Sequence, residues 1–117
     1  MALDSTQALE FQTDEITIEI AAKSELEYKF FMQKHGKMSY YWNTDGQPIY
    51  FDLHGEPDGD TSGYFESYAI SSADKVEGSY TTPFAGTHGW YWRNDSNTSI
   101  KVTLKTQGYY QLVGIKK

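Results

Sequence analysis

Two segments near the end of the chain alternate apolar and polar residues, and this alternation limits the fold more than any other feature. Side chains at every second position share one face of an extended strand. The face of the first segment carries His88, Trp90 and Trp92, and that of the second carries Ile100, Val102 and Leu104. A polar turn at 94–97 separates the two segments. We therefore predict a β-hairpin over residues 83–110.

The same period-two pattern recurs along the rest of the chain. Alternating segments begin near Asp14, Glu25, Met38 and Ile49, and further strands are expected at 64–70, 76–82 and 109–115. A turn at 34–37 with Gly36 predicts another tight hairpin, with Gly36 at positive φ. Eight to nine short strands without a helix predict an all-β fold, an antiparallel sandwich with a jelly-roll-like arrangement.

The alternation also predicts which large side chains fill the core. The expected core residues are Phe30, Trp42, Phe51, Trp90, Trp92 and Leu104. A chain of 117 residues closes one such core, so we expect a single domain over 13–117. The aperiodic start over 1–12 is expected to be a flexible lead-in.

Charge and composition exclude several functions. The formal net charge is −6, and the only clustered basic residues are Lys116 and Lys117, so nucleic acid is not an expected partner. Cysteine is absent, which removes disulfides, thiolate metal sites and cysteine nucleophiles. The sequence has neither an apolar run of about 18 residues nor a signal-peptide pattern at its start.

Several motifs resemble a known family. The segments FAGTHGWYWRN and IKVTLKTQGYY are similar to the C-terminal half of GOLD-type (Golgi-dynamics) β-sandwich domains. The segments TDEITIEI, KMSYYWNTDG, FDLHGEP and GTHGWYWRN resemble the soluble part of bacterial proteins described as transmembrane anchor proteins. The resemblance extends over 12–115, which is nearly the whole chain.

The resemblance implies a location and a kind of partner. Members of the anchor family carry an N-terminal membrane helix, a linker and a domain of this length outside the membrane. It therefore implies a periplasmic or otherwise extracytoplasmic domain, held at the inner membrane by a helix upstream of this chain. The GOLD comparison implies binding of another protein, and the expected partner is a membrane or periplasmic protein.

Two histidine motifs are the candidate ligand site. LHGE at 53–56 and THGW at 87–90 each place a histidine next to a glycine, where a ligand can approach the backbone closely. If His54 and His88 converge, they and a nearby acid such as Glu56 or Asp52 could bind copper, nickel or zinc, because imidazole suits these metals. The alternative is a pair of hydrogen-bonded structural histidines. The expected interaction site is His54, Glu56, His88 and Trp90.

Two further metal patterns have simpler structural explanations. Met32, His35 and Met38 have a spacing that Cu(I) can use, but both methionines also fit the apolar face of their strands. The acidic loop at 56–60 lacks the full ligand spacing of a calcium loop, so we interpret it as a solvated loop.

Catalysis has no sequence motif to support it, so we expect a binding domain and not an enzyme. Neither a nucleophile elbow nor a Ser-x-x-Lys motif is present, and Glu25 and Glu27 alternate as on a solvated strand face. The many aromatic residues leave a carbohydrate-binding sandwich open as an alternative. Its stacking platforms would be Tyr41, Tyr50, Tyr64 and Tyr91.

Overall fold

The structure, a computed structural model, describes residues 9–116 and shows nine β-strands in that range. The strands are β1 (Phe11–Ile20), β2 (Ser24–Met32), β3 (Lys37–Asn43), β4 (Ile49–Pro57), β5 (Glu66–Ala73), β6 (Lys75–Thr81), β7 (Gly86–Asn94), β8 (Ile100–Tyr109) and β9 (Gln111–Lys116). No helix within the described range is long and apolar enough to span a bilayer.

The strands form two antiparallel sheets packed face to face. The four-stranded sheet has the order β1-β8-β3-β6, and the five-stranded sheet has the order β5-β4-β7-β2-β9. Every connection except that between β4 and β5 crosses from one sheet to the other, which is the strand arrangement of a jelly roll with β9 added at one edge. The predicted all-β antiparallel sandwich is confirmed.

One apolar core lies between the two sheets. Trp42 from the smaller sheet makes an edge-to-face contact with Trp92 from the larger sheet, with 5.7 Å between the ring centroids. Trp90 stacks on Trp92 with 5.9 Å between the ring centroids. Contacts of this kind add to the hydrophobic burial. All six residues predicted to fill the core are buried: Phe30, Trp42, Phe51, Trp90, Trp92 and Leu104.

The hairpin predicted over 83–110 is wrong. Strands β7 and β8 belong to different sheets, so they face each other across the core instead of pairing side by side. The buried side chain of Asn94 holds the turn in this shape: Nδ2 donates to the carbonyl oxygens of Ile20 and Thr98 at 3.0 and 2.8 Å, and Oδ1 accepts from Ser96. A sheet-to-sheet arch and a hairpin leave the same alternation in the sequence.

The hairpin predicted at 34–37 is wrong for the same reason. This turn joins β2 of the larger sheet to β3 of the smaller one. The backbone of the turn forms two hydrogen bonds with Thr82, which follows β6. His35 N donates to Thr82 O at 2.8 Å, and Thr82 N donates to Gly36 O at 2.9 Å. The positive φ falls on His35 (64°) and not on Gly36.

The first strand begins two residues earlier than expected, because the lead-in was predicted to extend over 1–12. Strand β1 begins at Phe11, and Gln12 pairs with Gly108 on β8. These two residues therefore belong to the sheet, while residues 1–8 lie outside the described part of the chain.

Candidate functional site

The structure does not bring the two predicted histidines together. His54 on β4 and His88 on β7 lie on neighbouring strands, but His54 pairs with Gly89 and His88 pairs with Gly55. Consecutive residues of a strand point to opposite faces. His88 therefore faces the core and His54 faces outward, so a metal site shared by both does not form.

His88 is a buried structural histidine. Its Nε2–H donates to the carbonyl of Phe84 at 3.1 Å, which leaves Nδ1 to accept from the Tyr68 hydroxyl at 3.0 Å. Burial lowers the pKa of His88 to about 4, so the ring is neutral at physiological pH. A Cβ at Gly55 would collide with both His88 and Tyr68, which explains the glycine after His54. Trp90, on the same inner face, is fully buried and belongs to the core.

His54 belongs to a polar cluster on the outer face of the five-stranded sheet. Lys29 on β2, Gly89 on β7 and His54 on β4 are cross-strand neighbours in one row. Because Gly89 has no side chain, Lys29 extends across β7 and reaches His54. The next row toward the start of β2 contains Glu27, Tyr91 and Asp52.

Lys29 is the centre of this cluster and is only 1 % exposed. Its Nζ lies 2.8 Å from His54 Nε2, 2.9 Å from Glu56 Oε1 and 3.2 Å from Glu27 Oε1. Three acceptors thus face the three protons of the ammonium group. A charge so buried is tolerated only when it is paired and fully hydrogen-bonded, and these contacts meet both conditions.

Hydrogen bonds fix the orientation of the His54 ring. Nδ1–H donates to the backbone carbonyl of Asp52 at 3.1 Å, and neutral Nε2 accepts from Lys29. Glu27 Oε1 lies 3.1 Å from the same Nε2 atom. The polar contact with His54 and the charge of Lys29 lower the pKa of Glu27 to about 2, although burial opposes this shift.

Next to this cluster lies a pocket of about 360 Å³, which we call the acidic pocket. It is lined by Glu27, Asp52, His54, Glu56, Phe65 and Tyr91. Three carboxylates face one ammonium, that of Lys29, so the site carries excess negative charge. Phe65, half exposed, packs edge-on against the His54 ring at 5.2 Å and forms one wall.

Asp52 contributes an oxygen that still needs a donor. Its Oδ1 is buried, and it has no hydrogen-bond partner within the described residues. The His54 Nδ1 atom is 3.7 Å away, beyond hydrogen-bond distance, and its proton is already donated to a backbone carbonyl. A buried carboxylate oxygen without a donor keeps its negative charge uncompensated beside the acidic pocket.

Among the described residues, Glu27, His54 and Glu56 are the one group of three metal-type ligands that converge, within 4.8 Å of one another. The Lys29 ammonium bonds to all three, so it already occupies the position of a cation. Met32 and Met38 are buried in the core, which fits their interpretation as core residues.

The sequence pattern identified His54 and Glu56, with Asp52 as another candidate acid, but missed Glu27, Lys29 and Phe65. Of the tyrosines proposed as sugar platforms, Tyr64 is exposed, whereas Tyr41, Tyr50 and Tyr91 are half-buried. The Arg93 guanidinium covers the Tyr50 ring at 4.2 Å, so one face of that ring is already used.

No protein-family model matches the chain, and no curated protein matches it.

Proposed function

We propose that this chain is a non-enzymatic binding domain that recognises another protein by taking an arginine side chain into the acidic pocket. The observation that carries the proposal is a pocket lined by three carboxylates and two aromatic rings, where Lys29 pairs with only Glu27 and Glu56. A guanidinium is planar, bonds carboxylates in pairs and stacks on aromatic rings.

The surroundings of the pocket suit a protein partner. Lys29 neutralises only part of the negative charge of Glu27 and Glu56, so a cation is attracted and an anion is repelled. The hydrogen bonds of Lys29 and His54 hold the carboxylates in place before binding, which reduces the entropy cost of association. Arginine and tyrosine are enriched at the centres of protein interfaces.

Calorimetric titration with the peptides acetyl-Gly-Arg-Gly-amide and acetyl-Gly-Gln-Gly-amide tests the proposal. We expect the arginine peptide to bind, with an affinity that falls as salt is added, and the glutamine peptide not to bind. Asp52→Asn and Phe65→Ala should each weaken binding by about tenfold, equivalent to ~1.4 kcal/mol.

Glu77→Gln is the matched control, because Glu77 is an exposed acid on β6 of the other sheet. This variant should bind the arginine peptide like the parent protein. Equal binding by the parent protein and Asp52→Asn, or no binding of the arginine peptide by the parent protein, would contradict the proposal.

We also propose that the domain works outside the cytoplasm, attached to the inner membrane by an upstream helix, and that its partner is a membrane or periplasmic protein. This part rests on the resemblance of FDLHGEP and GTHGWYWRN to the anchor family. The gene sequence upstream of Met1 tests it: an apolar stretch of about 20 residues is expected, and its absence would overturn the membrane attachment.

A further inference from the structure

The outer face of the four-stranded sheet carries a second, chemically different groove. Its floor is one row of uncharged polar side chains that runs across all four strands. In spatial order the row consists of Thr13, Gln107, Ser39 and Ser79, all of them exposed. Because three of these four side chains are small and all four can form hydrogen bonds, the middle of the face is depressed and polar.

Aromatic residues lie on both sides of this row. On one side, Phe11 and Tyr109 are cross-strand partners in edge-to-face contact at 5.3 Å, and they are 55 % and 50 % exposed. On the other side lies Tyr41, which pairs with Lys105 and Glu77. The two aromatic positions are four residues apart along the strands, about 13 Å at ~3.3 Å per residue.

The groove has the size of a ligand site. The cavity above the row encloses about 540 Å³, within the ordinary range for small-molecule sites. A neighbouring cavity of about 310 Å³ shares Ser39, Ser79 and Gln107 and extends to Phe11 and Tyr109. The polar row and both aromatic flanks therefore form one continuous groove, which we call the polar trough.

The charges of the polar trough restrict the ligand further. Lys105 Nζ lies 4.0 Å from Glu15 Oε1, and Glu77 and Lys37 add one charge of each sign. These four charges cancel, on a protein of net charge −6. Polyanionic ligands are disfavoured by the charge of the protein, whereas an uncharged ligand is not.

We infer that the polar trough binds a neutral oligosaccharide. Sugar hydroxyl groups both donate and accept hydrogen bonds, as do the hydroxyl and amide groups of the polar row. The apolar faces of sugar rings stack on aromatic rings, and the spacing of the aromatic flanks suits a short oligosaccharide. This inference is independent of the acidic pocket, which lies on the opposite outer face of the sandwich.

Nuclear magnetic resonance titration with neutral oligosaccharides tests the inference. The probes are soluble β-1,4-glucan, β-1,4-mannan, β-1,4-linked N-acetylglucosamine and α-1,4-glucan oligomers. At least one should bind and shift the amide signals of Ser39, Tyr41 and Gln107. Tyr41→Ala should weaken that binding about fivefold to tenfold, as expected for the loss of one stacking ring.

Tyr64→Ala is the matched control, since Tyr64 is an exposed tyrosine in the loop before β5 and outside the trough. It should bind like the parent protein, as should Asp52→Asn, which removes only a charge of the acidic pocket. If none of the four oligomers binds, or if Tyr41→Ala and Tyr64→Ala bind equally well, the inference is overturned. Phe11→Ala, at an exposed position, checks the result in case Tyr41→Ala fails to fold.

Discussion

Lys29 holds a positive charge on a sheet face while exposing almost none of its side chain. Removing an ammonium group from water costs several kcal/mol, and only close, well-oriented partners offset that cost. Glu27, Glu56 and His54 provide such partners at 2.8–3.2 Å. The side chain therefore acts as an internal cation that sets the positions of the surrounding carboxylates.

Replacing this cation should convert the cluster into a metal site. In Lys29→Met the two carboxylates lose their counter-charge, and we expect a loss of about 2–3 kcal/mol, less than for a fully buried pair because both acids are partly exposed. Zn²⁺ should then bind Glu27, His54 and Glu56, and restore about 2.7 kcal/mol at a hundredfold excess over its Kd. Denaturant unfolding with and without Zn²⁺ measures both effects.

Lys105→Met serves as the control, because Lys105 is an exposed lysine in a 4.0 Å ion pair with Glu15. Its stability should change little and should not respond to Zn²⁺. If Zn²⁺ stabilises the parent protein as much as Lys29→Met, Lys29 does not occupy the cation position.

The buried neutral His88 predicts a loss of stability in mild acid. The unfolded chain protonates this histidine near pH 6.5, whereas burial lowers the pKa in the folded protein to about 4. The unfolded state therefore binds more protons, so stability falls as the pH decreases from about 6.5 to about 4. Between pH 7 and pH 5 we expect a loss of about 2 kcal/mol from this residue.

Unfolding at both pH values, together with the imidazole resonances of the folded protein, checks this prediction. The exposed His35 is available for comparison, and His35→Asn should show the same loss of stability between pH 7 and pH 5 as the parent protein. A His88 resonance that titrates near pH 6.5 would contradict the assignment of a buried neutral ring.

Part of the candidate site could be predicted from the sequence, but its centre, Lys29, could not. His54 and Glu56 stand out because they lie on either side of Gly55 in the LHGE motif. Lys29 follows Glu25 and Glu27 in ordinary alternation, which is also the pattern of a solvated strand face. Its burial depends on Gly89, which is distant in the chain and becomes a neighbour only when β2 pairs with β7.

At the scale of elements, the connections that cross from one sheet to the other, which we call arches, determine which strands pair. Asn94 is the last residue of β7. Its side chain forms hydrogen bonds with Ile20 at the end of β1 and with Ser96 and Thr98 in the turn before β8. These bonds direct β8 into the opposite sheet. The alternation of 88–93 and 99–105 predicted two strands correctly, but periodicity reports only which face of a strand is apolar and not which strand lies beside it.

Asn94→Asp should weaken the arch strongly. This substitution keeps the Oδ1 acceptor for Ser96 but replaces the Nδ2 donor with an oxygen that faces the carbonyls of Ile20 and Thr98. Loss of buried hydrogen bonds with the partners left unsatisfied costs about 1–3 kcal/mol each. Unfolding by denaturant should show a larger loss for Asn94→Asp than for Asn97→Asp, which lies at an exposed position of the same turn. Equal losses would contradict the role of Asn94.

At the scale of the whole molecule, one aromatic core supports two outer faces with different chemistry. Trp92 is fully buried between Trp42 and Trp90. Trp92→Ala should therefore reduce the free energy of unfolding by about 3–5 kcal/mol. Phe11→Ala, at an exposed aromatic position, should cost far less. A Trp92→Ala loss below about 1 kcal/mol in denaturant unfolding would contradict the packing of this core.

The central claim is that the acidic pocket on the five-stranded sheet recognises an arginine side chain. The most direct test is a titration of ¹⁵N-labelled protein with acetyl-Gly-Arg-Gly-amide, followed by amide chemical shifts. We predict saturable shifts at Asp52, His54, Phe65 and Tyr91, and no shifts along the polar trough. An absence of saturable shifts, or shifts confined to the four-stranded sheet, would contradict the claim.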